Sequence, residues 1–328
     1  MKMRKLVVMQ QSLGSLGEDR VLERILSHVD PGDHVSVGPG DDAAVSTLPG
    51  PTVTTTDMLV EESDFLREWL DPYRLGGKAA AQNLSDLYAM GATPHGLLMS
   101  LSAPNDTPID VIEEFTRGLN DEAQRAGAAI IGGDLSTGGL ITVAITAIGY
   151  LRTEPILRSG ARPHDGVFLA GTVGHAAAGL DLLFAGHRLG NSETDPFIET
   201  QLAPRPDYTT AARLPGWANA GIDASDGLSG DLGKVARKSG VDIHLDPEAI
   251  AGLAKQVLPV AHILGDPDRA LKWVLHGGED HGYLVTGPAD TAPVGLTRIG
   301  TCVTGTGRLT LDGTEVQPGA FTHFSEAQ

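Results

Sequence analysis

The chain has 328 residues, a hydrophobic fraction of 41% and a single cysteine, Cys302, with 42 acidic against 24 basic residues and a formal net charge of −18. That length suits two domains with separate cores, and that charge excludes non-specific attraction to nucleic acid or to an anionic membrane surface. One cysteine rules out an intramolecular disulfide and a cysteine-based zinc site, which fits a reducing compartment, the cytoplasm.

At the N-terminus the apolar run Leu6 to Met9 is too short for a signal-peptide core. A first helix is predicted over Glu18 to Val29. "HVSVG" and "TVTTTDML" alternate and are rich in β-branched residues, so both read as strands. Asp41 and Asp42 follow the first of these on a Gly-Pro-Gly turn, and Asp57 ends the second. A helix from Pro72 to Met90 carries Ala80, Leu84, Leu87 and Tyr88 on its core side. Its Lys78, Gln82, Asn83 and Asp86 form a polar face pointing away from that stripe.

A second amphipathic helix spans Thr107 to Gly127, with Val111, Ile112, Phe115, Leu119 and Ala123 inward and Gly127 as the stop. "AAIIGGDLSTGG" reads as a buried strand entering a glycine loop that carries Asp134. The longest apolar stretch, Leu140 to Leu151, falls short of a membrane span and reads as another buried strand. The turn "RPHDG" then marks a boundary, giving domains over 1–152 and 153–328.

The second half restarts with strand "VFLAG", helix "HAAAGLDLLFAG" and a polar, proline-containing connection from Asn191 to Pro206. "AGIDASDGLSGDLGKVARKSG" places Asp223 and Asp226 in a loop leading into a helix. "HGGEDHGYLVTG" sets Glu279 and Asp280 beside glycines against a strand, and "RLTLDGTEV" is a hairpin with a tight Asp-Gly turn. Strands and helices are mixed in both halves, so the fold class is α/β or α+β.

The acids recur in similar settings: Asp41 with Asp42, Asp57, Asp86, Asp134, Asp223 with Asp226, and Glu279 with Asp280. Singly, each is an ordinary turn residue or helix cap. Together they suit a metal–nucleotide site, since magnesium takes one or two carboxylates plus substrate phosphates. Spacing alone leaves Asp86 open between a ligand and a helix-surface charge, and Arg158 open between a phosphate clamp and a surface arginine. His276 and His281 read as structural or solvent-facing. There is no Walker A motif, because Gly77-Lys78 and Gly233-Lys234 lack the upstream glycine and the following Ser or Thr. No GxGxxG or protein-kinase signature is present either.

The ordered set "GPGDDAAV", "TTTDMLVE", "KAAAQNLSDLYAMGATP", "IIGGDLSTGG", "LRSGARPHD", "IDASDGLSGDLGK" and "LHGGEDHGYLVT" resembles the thiamine-monophosphate kinases. These belong to the superfamily of aminoimidazole ribonucleotide synthetase and selenophosphate synthetase. The resemblance covers essentially the whole chain, from about residue 17 to "GAFTHF". It implies a two-domain PurM-like fold, with the N-terminal domain contributing to a β-barrel shared across a homodimer, and a C-terminal α/β domain. It implies ATP-dependent phosphorylation of thiamine monophosphate to thiamine diphosphate, the last step in making that cofactor. By motif position, Asp42, Thr55, Thr56, Asp57, Asp86, Asp134, Asp223 and Asp226 would ligate several Mg2+ ions. Gly133, Asp134, Arg158 and Ser225 would contact ATP, and Glu279 and Phe321 would face the thiamine portion. No residue is implied as a general base, because the acceptor is already an anionic phosphate.

One departure stands out: the family has a histidine one residue before the phenylalanine of "EESDF", and this chain has Asp64 there. Asp64 is therefore a candidate substrate residue. Two alternatives remain: a sister enzyme with another acceptor, and a non-catalytic nucleotide or thiamine-phosphate binding protein. Against the first, there is no cysteine near the N-terminus as in selenophosphate synthetases, and "SEAQ" replaces the terminal cysteine of the hydrogenase-maturation relatives.

Overall fold

The structure, a computed structural model, describes residues 11–29, 32–40, 42–317 and 319. The chain divides into two compact units. The first comprises Met1–Thr47, Thr56–Ala80 and Gly96–Thr146, and the second Leu48–Thr55, Ala81–His95 and Ala147–Gln328. The division falls inside several elements, so some strands and one helix contribute to both.

The first part of the chain forms α1 (Leu13–Leu16), α2 (Glu18–Leu26), β1 (Val35–Val37), β2 (Val45–Ser46), β3 (Thr52–Val60), α3 (Pro72–Ala89), β4 (Thr93–Ala103), α4 (Ile109–Arg125), β5 (Ala129–Thr137) and β6 (Thr142–Tyr150). β1 and β2 are an antiparallel pair, and the longer strands make a sheet in the order β3-β6-β4-β5, with β4 and β5 parallel. α4 forms where the sequence repeats apolar residues at helical spacing: Ile109, Ile112, Phe115, Leu119 and Ala123 are all at most 2% exposed. Each large member of that stripe contributes roughly 1.5–3 kcal/mol on burial. α3 and α4 meet backbone to backbone, because a Cβ on Gly76 would lie 2.0 Å from the Phe115 carbonyl oxygen and one on Gly118 1.9 Å from that of Tyr73.

The remaining elements are β7 (Gly166–Ala170), α5 (His175–Phe184), α6 (Asp195–Leu202), α7 (Tyr208–Ala211), β8 (Ala220–Ala224), α8 (Leu228–Ser239), β9 (Val241–Leu245), α9 (Pro247–Ile263), α10 (Arg269–His276), β10 (Gly282–Gly287), β11 (Thr297–Thr304), β12 (Leu309–Leu311) and β13 (Thr314–Glu315). Their strands form one sheet in the order β13-β12-β9-β11-β7-β10-β8. All neighbours are antiparallel except β12 and β9. β7, β8 and β10 are buried along their whole length, β7 as an unbroken apolar run and β8 and β10 with the polar Asp223 and Thr286 buried among their apolar residues. The predicted hairpin is β12–β13, with Asp312 and Gly313 both at positive φ.

Five readings of the sequence change, one of them Asp223, which lies within β8 and not in a loop. Asp57 lies within β3 and does not end it, and Asp134 lies within β5, not in a loop. The connection from Asn191 to Pro206 contains α6, whose Phe197, Ile198 and Leu202 are buried and whose proline sits in its first turn, where no N–H is needed. α3 has no solvent face of the predicted kind: Lys78 and Asn83 are 2% and 1% exposed.

Candidate active site

In the second unit the candidate acids stand on two turns locked to one another. Asp223 is in β8, opposite Tyr283 of β10, and is buried. Ser225 and Asp226 follow in the turn before α8. The Gly277–His281 segment lies against this turn: the Glu279 N–H donates to the Ser225 carbonyl at 2.9 Å and the His281 N–H to that of Ala224 at 3.1 Å. The approach is too close for side chains, since a Cβ on Gly278 would lie 2.2 Å from the Ser225 carbonyl oxygen. Glu279 and His281 both adopt left-handed φ, 66° and 52°, a conformation uncommon for non-glycine residues that holds this turn in its bent shape. The Glu279 carboxylate is held by Gln201 Nε2 at 2.6 Å.

Buried partners fix these acids further. Asp223 Oδ2 is 3.3 Å from both Ser85 Oγ and His281 Nδ1, which are themselves 3.2 Å apart. Asp226 Oδ2 accepts from Lys234 Nζ at 2.5 Å, and the Asp226 N–H donates to Asp231 Oδ2 at 3.0 Å. Burial pushes the Asp231 carboxyl up to about 6 against the pull of Lys234. Burial works against the Lys234 ammonium, but its hydrogen bonds to Asp226 and Asp231 outweigh this and hold it above the usual lysine range. Thr55 Oγ1 donates to Asp86 Oδ2 at 2.7 Å, which orients a carboxylate that spacing alone left ambiguous. Arg158 is exposed, and its backbone carbonyl accepts from Ser239 Oγ at 3.2 Å.

In the first unit Asp42 is exposed in the loop joining β1 and β2, and Asp57 is exposed on β3. Thr56 Oγ1 donates to the Ile145 carbonyl at 3.0 Å. Asp134 and Gly133 are exposed in β5, paired with Ser100 and Met99 of β4. Asp64 closes the turn after β3, its Oδ2 accepting the Val60 N–H at 2.7 Å. Asp41 and Phe321 lie outside the described residues. Gly319, two positions before Phe321, donates its N–H to Ser229 Oγ in the first turn of α8 at 3.2 Å.

Among the described residues no three His, Cys, Asp or Glu side chains converge into a ready-made metal group. Dispersed carboxylates and threonine hydroxyls are instead the hard oxygen donors that Mg2+ takes when phosphates complete its shell. Sequence reasoning missed Ser85, Gln201, Asp231 and Lys234. Gly233-Lys234 had entered it only as a failed Walker A.

Residues 40–151 match the family model described as AIR synthase related protein, N-terminal domain. This match gives the class of that N-terminal segment. The thiamine-monophosphate kinase of Mycobacterium tuberculosis (strain CDC 1551 / Oshkosh) is 39% identical over 313 residues, 93% of this chain and 90% of that protein. The solved thiamine-monophosphate kinase from Stenotrophomonas maltophilia K279a superposes with a TM-score of 0.77 at 32% identity, covering 91% of this chain and 96% of that one. The structure described as AaThiL complexed with AMPPCP and TMP gives a TM-score of 0.77 at 30% identity, covering 96% of this chain and all, 100%, of that one. The chain belongs to the thiamine-monophosphate kinase family.

Proposed function

We infer that the protein transfers the γ-phosphoryl group of ATP to the phosphate of thiamine monophosphate, giving thiamine diphosphate and ADP. The observation that carries this is likeness to a thiamine-monophosphate kinase over 93% of the chain. The solved relative holding AMPPCP and TMP supports ATP as the donor.

The many acids have a physical reason in this reaction. Donor and acceptor are both anionic, and two unit charges about 4 Å apart repel by roughly 4 kcal/mol at an effective dielectric near 20. Bound Mg2+ would offset that repulsion and align the phosphates. Asp42, Thr55, Thr56, Asp57, Asp86, Asp134, Asp223 and Asp226 are the proposed ligands, and their all-oxygen character suits this ion. The protein's own residues set the geometry: Thr55 orients Asp86, Ser85 and His281 hold Asp223, and Lys234 with Asp231 holds Asp226. Gly133, Asp134, Arg158 and Ser225 are proposed to contact ATP, and Asp64, Glu279 and Phe321 the thiamine portion. Residues 1–152 are proposed to carry metal, nucleotide and dimer contacts, with 153–328 completing the cleft. The homodimer with its shared β-barrel, and a cytoplasmic location, belong to the same proposal. Among the described residues no helix is long and apolar enough to cross a membrane.

The test is to incubate the purified protein with Mg-ATP and thiamine monophosphate and to quantify products by chromatography. Thiamine diphosphate and ADP are expected in equal amounts, and Asp42→Asn is expected to abolish both. No product despite binding of both ligands would point to another acceptor or a binding role, with Asp64→His as the next variant.

A further inference from the structure

Lys234 stands on α8 between two carboxylates, with Nζ 2.5 Å from Asp226 Oδ2 and 2.9 Å from Asp231 Oδ1. The three differ in access to solvent. The Asp231 side chain is 0% exposed, whereas those of Asp226 and Lys234 keep 39% and 33%. Asp231 is also committed to the backbone through its other oxygen, which accepts the Asp226 N–H. The same acid therefore anchors Asp226 twice, directly through its main chain and through Lys234 at its carboxylate. A cation approaching Asp226 Oδ2 meets an ammonium already seated on that oxygen. Lys234 has three donors on a flexible stem, so it can release Asp226 while keeping Asp231, which as an unpaired buried carboxylate would be costly.

We propose that Lys234 is a positioning residue that serves as a built-in counter-ion for Asp226, holding the carboxylate in place before the divalent cation arrives and keeping that cation's affinity moderate. This rests on the reading of Asp226 as a Mg2+ ligand. The consequence is a site that binds metal firmly only when nucleotide phosphates add their own charge, so metal enters and leaves with the nucleotide.

The test uses Mn2+ alone as the probe, titrated into the full-length protein and followed by the electron paramagnetic resonance signal of the free ion. Lys234→Met is expected to bind Mn2+ about three- to tenfold more tightly, the range for losing one competing, partly exposed charged hydrogen bond. Lys234→Arg keeps the charge and is expected to stay near wild type, and Asp226→Asn is expected to weaken binding. A structural role alone would loosen the metal in the methionine variant. Weakened binding in Asp226→Asn with no tightening in Lys234→Met overturns the counter-ion. Unchanged binding in Asp226→Asn overturns the ligand reading beneath it. If Lys234→Met does not fold, the double variant Asp231→Asn/Lys234→Met removes both charges of the buried pair and carries the same expectation of tighter binding than wild type.

Discussion

Asp242, at the second position of β9, shows how much one carboxylate organises. Its Oδ1 accepts the N–H groups of Thr306, Gly307 and Arg308 at 2.8, 3.0 and 2.9 Å, and its Oδ2 accepts from Arg308 Nη2 at 2.9 Å. The Arg308 backbone N–H, with the neighbouring amides and guanidinium, holds its carboxyl down at about 2. A folded-state value below the unfolded one means the stability this group confers is complete above about pH 4 and is lost as pH falls toward about 2. Asp242→Asn should therefore lower the urea midpoint at neutral pH, and the gap to wild type should narrow steadily as the pH is taken from about 4 toward about 2. A gap that stays constant with pH would assign the effect to packing. The sequence does not reveal such partnerships. Asp42, Asp223 and Glu279 could be singled out as acids in glycine-rich stretches, whereas spacing alone left Asp86 open between a ligand and a helix-surface charge. Asp231, Lys234, Ser85 and His281 acquire meaning only from which atoms they meet in space.

At the level of elements, the sequence pattern located α2, α3, α4, β3 and β6 closely: α2, α4 and β6 each bury one face, and β3 was marked by its run of β-branched residues. It misplaced Asp134 and Asp223, since glycine-rich stretches read as loops when glycine can equally mark close backbone approach inside a strand. Gly133 is such a case: β4 and β5 pair Met99 with Gly133, and a Cβ there would lie 2.1 Å from the Met99 carbonyl oxygen. Gly133→Ala should force the two strands apart locally and destabilise the protein by about 2–3 kcal/mol. Thermal unfolding measures the loss, and a variant as stable as wild type would show that the sheet yields without penalty. The polar face of α3 was misread for a related reason. Alanines and a serine on the remaining sides let neighbours close in, so Lys78 and Asn83 are buried with the rest.

For the whole molecule, the charge of −18 bears on the proposed homodimer. β3 exposes Thr54, Thr56, Asp57 and Met58, the last at 59%. If the proposed homodimer forms through β3, pairing would bury this surface but also bring two strongly acidic chains together, so long-range repulsion would oppose the apolar gain. Salt should then strengthen the association, because the Debye length shrinks from about 20 Å near 0.02 M to about 6 Å near 0.3 M. Sedimentation velocity should report a species of twice the 34.2 kDa chain mass whose dissociation constant falls as salt is raised over that range. Met58→Glu adds charge and removes apolar area on β3, so it should shift the protein toward monomer and steepen the salt dependence. Association that instead weakens with salt would mean that ion pairs, not apolar burial, hold the copies together. A monomer at every salt concentration would remove the dimer from the proposed function.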